Sequence, residues 1–534
     1  MKRTLYILSL SLLTGLMSCN DLEEAPFSQI SQDGYSYSNP RQAMGIAYAN
    51  MRYLMGIQEY YMSQELCTDE IVAPANASGW DDGGIFKKMH FHSWDSESPQ
   101  SRHLWSKPYT GIIHCNRVIE QLESGLIPAT DEIKTEYMAE MRAVRAFYYW
   151  QLMDNFGDVP LVTSSSQELP ELSTRKELYD FIVAELTAID KDLNEAVDSK
   201  SYGTFHRWAG KALLANVYLN AEVYTGEAKW DACLKVCQEI IDSGKYMMDA
   251  DYRTPFSTNN HADSKEIIFP IVFDNINAKG NNFTHLFSWG AGMKDKLLLN
   301  STPWGAGTAM GITQHIDTYD EKDGRLADNW LIGTQYKHNS TEPCLGNYDK
   351  LGKPLTYTKD IPNASYTSET EGYRMNKFEV KVGAEFQLDN DFPFFRYTQV
   401  MMMKAECLLR QGKADEAATL VTQVRKRNFE NESDATLTGA DLNADTKYQY
   451  GFYKTDYGTE IEAGDQSAVA YGGLYDELGY EFAWEAHRRR DMIRFGTFTT
   501  KSWLSHKPNG DHRKVFPIPQ QAINANPKLE QRYY

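Results

Sequence analysis

Positive charge is scarce in this 534-residue chain, where 54 Lys and Arg stand against 73 Asp and Glu for a formal net charge of -19. A polyanion has to be met by clustered cations, so this balance argues against nucleic acid and anionic lipid headgroups as partners. Cysteine is scarce too, seven in all, with neither the paired CxxC spacing of a zinc site nor the density of a disulfide framework. Cys67, Cys115, Cys233, Cys237, Cys344 and Cys407 are expected to be buried free thiols. Cys233 and Cys237 share a helical face, but no histidine falls in register to complete a tetrahedron, so no metal site is expected. Gly-x-Ser-x-Gly, Gly-Lys-Ser/Thr and His-Glu-x-x-His sequences are missing. With 73 carboxylates some pair always falls at a glycosidase spacing, so carboxylate counting reveals no active site. No catalytic residue and no cofactor is expected. Past the N-terminus, no apolar run reaches the roughly twenty residues that cross a bilayer.

What is present starts at Lys2 and Arg3, followed by the mostly apolar residues 5–17, the layout of a secretory signal. That stretch ends in Leu16-Met17-Ser18-Cys19, where small Ser18 suits a peptidase and Cys19 supplies a thiol for a diacylglyceryl thioether. The chain reads as an exported lipoprotein, with a signal at 1–18, a lipidated flexible tether at 19–39 and a folded domain at 40–534. Its membrane contact is expected through lipid alone. Several acyl chains, at about 0.8 kcal/mol per buried methylene, hold such a protein lastingly.

Hydrophobic residues at 42% and charged residues at 24% are ordinary for a globular domain. Apolar positions three and four apart predict helices near 41–55, 104–123, 132–155, 174–197, 206–223, 229–243, 394–411, 413–428 and 474–495. Ala405 and Ala417 are twelve apart, with Leu408, Val421 and Val424 between and after them. This places small residues where two antiparallel helices cross, the spacing of a tetratricopeptide repeat. Ala215, Tyr218 and Ala232 give a looser version. The expected fold is therefore a mainly α, single-domain scaffold of degenerate tetratricopeptide repeats, with repeat helices at about 40–245 and 391–496. Between them, about 245–390, lies a long Gly-, Asn-, Thr- and Pro-rich insertion with strand-like runs such as Ile267-Ile268-Phe269-Pro270-Ile271-Val272-Phe273.

Four segments together resemble the SusD/RagB family of outer-membrane nutrient-capture lipoproteins. They are Arg142-Ala143-Val144-Arg145-Ala146-Phe147-Tyr148-Tyr149-Trp150 with Phe156-Gly157-Asp158-Val159-Pro160; Ala209-Gly210-Lys211-Ala212-Leu213-Leu214-Ala215-Asn216-Val217-Tyr218-Leu219; Phe395-Arg396-Tyr397 with Ala405-Glu406; and Glu481-Phe482-Ala483-Trp484-Glu485-Ala486-His487-Arg488-Arg489-Arg490-Asp491. Phe516-Pro517-Ile518-Pro519 near the C-terminus fits as well. At residues 400–404 the chain departs from the family pattern, carrying Met401, Met402 and Met403, which fill core space equally well. The resemblance implies about four tetratricopeptide units, no catalysis, a glycan ligand and a SusC-like TonB-dependent transporter as partner. An acidic run after the lipidated cysteine accompanies display on the outer cell surface in that family, and Asp21, Glu23 and Glu24 are similar.

Family members that bind glycans use exposed aromatic rings, on which the C–H face of a pyranose can lie. Of the eleven tryptophans, Trp150, Trp208, Trp230 and Trp484 lie on amphipathic helices and are expected in the core, and Trp94 is expected to pack. Trp80, in Gly79-Trp80-Asp81-Asp82-Gly83-Gly84, and Trp289, Trp304 and Trp330, in the insertion, sit among turn-forming residues. Trp80, Trp289 and Trp304 are the candidate ligand contacts, with Asp81 and Asp82 as acceptors for sugar hydroxyls. Glu481, Glu485, Arg488 and Arg489 are read as a structural ion-pair network, since helical spacing brings them within reach of one another. Two alternatives remain open at this point, a peptide-capturing member of the same family and a tetratricopeptide scaffold for another protein.

Overall fold

Helices start where the sequence supplies caps. Thr130 accepts the Ile133 N–H at the start of a helix over Asp131–Phe156, whose first turn carries Asp131 and Glu132 against the positive end of the helix dipole. A capping box between Thr174 and Glu177 opens the helix Arg175–Ile189. His206 plays the same part for Arg207–Leu219, its Nδ1 accepting from the N–H groups of Trp208 and Ala209 at 3.2 Å.

In this computed structural model residues 39–165, 168–281, 283–455 and 457–534 are described. The signal at 1–18, Cys19 and the tether before Asn39 lie outside the described residues. In chain order the main helices are α1 (Pro40–Met51), α2 (Pro99–Glu123), α3 (Asp131–Phe156), α4 (Arg175–Ile189), α5 (Arg207–Leu219), α6 (Trp230–Asp242), α7 (Tyr397–Arg410), α8 (Ala414–Arg425), α9 (Gly472–Phe482) and α10 (Arg488–Arg494). Sequential antiparallel partners α2/α3, α5/α6 and α7/α8 pack together, and α6 also packs on α7 across the insertion. This is the expected mainly α tetratricopeptide scaffold. Ala405 and Ala417 are fully buried where α7 and α8 cross, and Gly412, at φ +79°, turns the chain between them. Trp150, Trp208 and Trp484 are core residues, while Trp230 is half-buried at the start of α6. Among the described residues no helix is long and apolar enough to cross a membrane.

The strands are short and serve as clasps. The run at 267–273 forms β3 (Ile267–Ile271), antiparallel to β6 (Phe392–Arg396), and both strands are wholly buried. Two clasps bind an early loop to the insertion: β1 (Ile71–Val72) with β4 (Met310–Gly311), and β2 (Ala75–Asn76) with β5 (Tyr366–Thr367). The insertion also has a small core of its own, centred on Trp289, Met293, Leu331, Leu355 and Tyr357.

One expectation is corrected. The helix predicted over 474–495 breaks after Phe482, because Trp484 (φ +64°) and Ala486 (φ +62°) take left-handed conformations. Remote groups hold the break: Tyr61 Oη donates to the Trp484 carbonyl at 2.6 Å, and Glu65 accepts the Ala486 N–H. Glu481, Glu485, Arg488 and Arg489 are therefore ion-paired with distant residues rather than with each other. Glu481 meets Arg396 and Arg427, Glu485 meets Arg396 and Lys377, Arg488 meets Asp69, and Arg489 meets Asp154. All four are buried, so their role as a structural network stands with different partners.

Candidate functional site

The clasps bring the early loop and the insertion to opposite sides of one cleft of about 470 Å³. Trp80 enters from the first and Trp304 from the second, and both are half-buried. Trp80 is pinned from behind, tilted on Phe86 with centroids 5.7 Å apart and edge-on to Phe287 at 5.8 Å. Trp304 is held by its backbone, its N–H donating to the Leu286 carbonyl at 2.8 Å, and its ring lies 6.1 Å from that of half-exposed Phe386. Among the described residues neither indole N–H finds a protein acceptor, which leaves each ring with a free donor at its edge.

Asn76 ties the two sides. Its amide donates to Thr308 Oγ1 at 2.8 Å and to the Gly307 carbonyl at 3.2 Å, while its Oδ1 accepts from the Ser78 hydroxyl and N–H. The side chain is 1% exposed, so each of these bonds replaces one that water cannot supply. Gly305 closes the approach on the other side. It sits at φ +58°, and a Cβ there would meet Ser78 Oγ at 2.7 Å. Only glycine lets these two loops touch.

A third aromatic, Tyr348, borders the cleft at 37% exposure. Its turn is fastened by buried Glu369, whose carboxylate accepts the N–H groups of Asn347 and Tyr348 at 2.9–3.0 Å. Gln58 and Asp82 supply polar wall, with Gln58 Nε2 donating to Asp82 Oδ2 at 3.2 Å.

Of the five residues singled out in the sequence, Trp80, Trp304 and Asp82 come together in this cleft, and Trp289 and Asp81 do not. Trp289 is 2% exposed in the insertion's own core, and its Nε1–H is bonded to the Met375 carbonyl at 2.7 Å. A ring closed off in this way cannot serve as a ligand platform. Asp81 spends its carboxylate locally, accepting the Gly83 N–H at 3.1 Å and pairing with Lys87 at 3.1 Å. Its neighbour Asp82, the other expected acceptor, lines the cleft. Trp330 is buried as well, its indole N–H on Tyr319 Oη. Asn76, Gln58 and Tyr348 are missing from the sequence reading as site residues. Tyr348 carries the signal that marks Trp80, an aromatic ring among turn-formers in Gly346-Asn347-Tyr348-Asp349.

All six cysteines of the described part are free and buried, with Cys233 Sγ and Cys237 Sγ 3.9 Å apart on one face of α6. Among the described residues no group of His, Cys, Asp and Glu is arranged to hold a metal ion.

Comparison with known proteins places this architecture. The model of the SusD family matches residues 243–534, and a second, described as starch-binding associating with outer membrane, matches residues 47–219. The starch-binding protein SusD of Bacteroides thetaiotaomicron is 24% identical over 508 residues, covering 88% of this chain and 83% of that protein. SusD-like protein P25 of Formosa agariphila is 23% identical over 453 residues, covering 80% of this chain and 77% of its own length. Among solved structures, surface glycan-binding protein A of Bacteroides thetaiotaomicron in complex with laminarihexaose superposes with a TM-score of 0.69 at 20% identity, over 94% of this chain and 100% of that one. A laminarin-binding SusD-like protein gives 0.66 at 18% identity, over 93% and 100%. At these identities the structural likeness establishes the fold.

Proposed function

The chain belongs to the SusD family, and from that premise we propose that it captures oligosaccharide or polysaccharide in the Trp80–Trp304 cleft. It then delivers the glycan to a SusC-like TonB-dependent transporter. It does so as a lipoprotein of the outer membrane, held by lipid on Cys19 and facing the cell exterior, and it binds its ligand without transforming it.

The observation that carries the reading is the meeting of two half-exposed tryptophans, far apart in sequence, across one cleft. A sugar ring offers C–H groups to an aromatic face and hydroxyls to its surroundings. The cleft offers both kinds of partner: the rings of Trp80, Trp304 and Tyr348, and the polar groups of Gln58, Ser78 and Asp82. The starch-binding and laminarihexaose-bound relatives support the same ligand class, and the description of the second family model supports outer-membrane association.

The test is a combined glycan and peptide array probed with the protein from residue 20 onward. Glycan binding is expected, and binding confined to peptides overturns the reading. For the anchor, radiolabelled palmitate is expected on the wild type and not on Cys19→Ala. Label retained by that variant contradicts the assignment of Cys19.

A further inference from the structure

We propose that the cleft is selective for uncharged glycans, with Asp82 as the residue that accepts a sugar hydroxyl and turns away chains bearing carboxylate or sulfate. This rests on the glycan-capture reading and narrows it to one chemical class.

Three observations converge on Asp82. Among the described residues that line the cleft, Asp82 is the one acidic side chain, and no lysine, arginine or histidine accompanies it. An acidic glycan would therefore bring its charge against a carboxylate with no cation to meet it, on a protein whose net charge is already -19. Two cations close to the lining residues in sequence are already paired. Lys87 lies 3.1 Å from Asp81, and Lys350 lies 3.7 Å from Asp349.

The second observation is the free valence of the carboxylate. Asp82 Oδ2 accepts from Gln58 at 3.2 Å, and Oδ1 has no protein partner among the described residues. Gln58 thus fixes one oxygen and leaves the other open to a hydroxyl donor. A hydroxyl bonded to a carboxylate makes one of the stronger contacts available to a neutral sugar.

The third is backbone conformation. Asp82 sits at φ +47°, directly before Gly83 at +63° and Gly84 at +75°. Gly83 and Gly84 take this conformation freely and Asp82 alone is strained, in a turn that Asp81 caps from behind while Asp82 lines the cleft. Aspartate and asparagine tolerate this conformation better than other side chains. Asp82→Asn is therefore a substitution that removes the charge and keeps the turn.

The experiment measures binding of the protein from residue 20 onward, and of its Asp82→Asn and Trp80→Ala variants, to two panels. One holds neutral polymers, a β-1,3-glucan, an α-1,4-glucan and a mannan. The other holds polygalacturonate, alginate and a sulfated galactan. Wild type is expected to bind at least one neutral polymer and none of the acidic ones. Asp82→Asn is expected to bind the neutral polymer about tenfold more weakly and to bind acidic polymers measurably. Wild-type binding to an acidic polymer that is lost in Trp80→Ala overturns the charge selectivity and leaves glycan capture standing. Unchanged behaviour of Asp82→Asn on both panels overturns the role of Asp82. Absence of binding to either panel overturns both this inference and the capture reading.

Discussion

Replacing Gly305 by alanine is the smallest change that should pull the two sides of the cleft apart. The residue is held at φ +58°, where a Cβ costs about 1–2 kcal/mol. The added carbon would also stand 2.7 Å from Ser78 Oγ and 3.2 Å from Ser78 Cβ, so the early loop must move, at about 1–3 kcal/mol for an overpacked contact. Together these give a destabilisation of about 2–5 kcal/mol. Moving Ser78 also takes its hydroxyl from Asn76, the side chain that joins the loop to Gly307 and Thr308. Glycan affinity should therefore fall along with stability. The check is a double-mutant cycle by denaturant unfolding with Gly305→Ala, Ser78→Gly and the pair. Removing the Ser78 side chain relieves the contact but not the backbone strain, so the pair should recover about 1–3 kcal/mol relative to the sum of the singles. Strictly additive costs, or a Gly305→Ala protein as stable as wild type, would refute the reasoning.

Three further outcomes are expected. Arg396→Ala leaves Glu266, Glu481 and Glu485 without their shared buried cation and should cost about 3–5 kcal/mol in denaturant unfolding; a loss under 1 kcal/mol would contradict the network's role. Trp289→Ala, which empties part of the insertion's core, should cost about 3–5 kcal/mol, whereas Trp80→Ala should cost clearly less because its ring is half-exposed; the reverse order in thermal unfolding would contradict the placement of the two rings. Acid should destabilise the fold through buried histidines: burial holds His92 and His315 down to about 3 and His206 and His285 down to about 4, against an ordinary 6.5. The unfolded imidazoles take up protons first, so this stabilisation is complete above about pH 6.5 and is lost as pH falls toward 3, at up to about 1.4 kcal/mol per pH unit for each group. His92→Asn, which suits φ +47°, should show a shallower loss between pH 6.5 and 4 than wild type, and an equal slope would count against His92.

The scaffold was legible because period and caps are local. Thr174 with Glu177, Thr130 before Asp131 and the alanines at 405 and 417 announce their helices within a few residues of sequence. The break at 483–487 was not legible, because the apolar and charged spacing continues through it. What forces Trp484 and Ala486 into left-handed conformations is Tyr61 and Glu65, supplied from the other end of the chain. The loop tryptophans show the same division. Turn-formers around Trp80, Trp289 and Trp304 look alike in sequence. Trp289 differs because Met293, Leu331, Leu355 and the Met375 carbonyl close over it, contacts that exist only once the insertion has folded on itself. Asp81 and Asp82 also look alike in sequence, and they part because Asp81 caps the turn while Asp82 lines the cleft.

Calorimetric titration of wild type, Trp80→Ala and Trp304→Ala with a β-1,3-glucan and an α-1,4-glucan tests the central claim most directly. The account predicts that wild type binds at least one of them and that each variant loses about tenfold or more of that affinity, with circular dichroism showing the fold retained. Full wild-type affinity in both variants would contradict it.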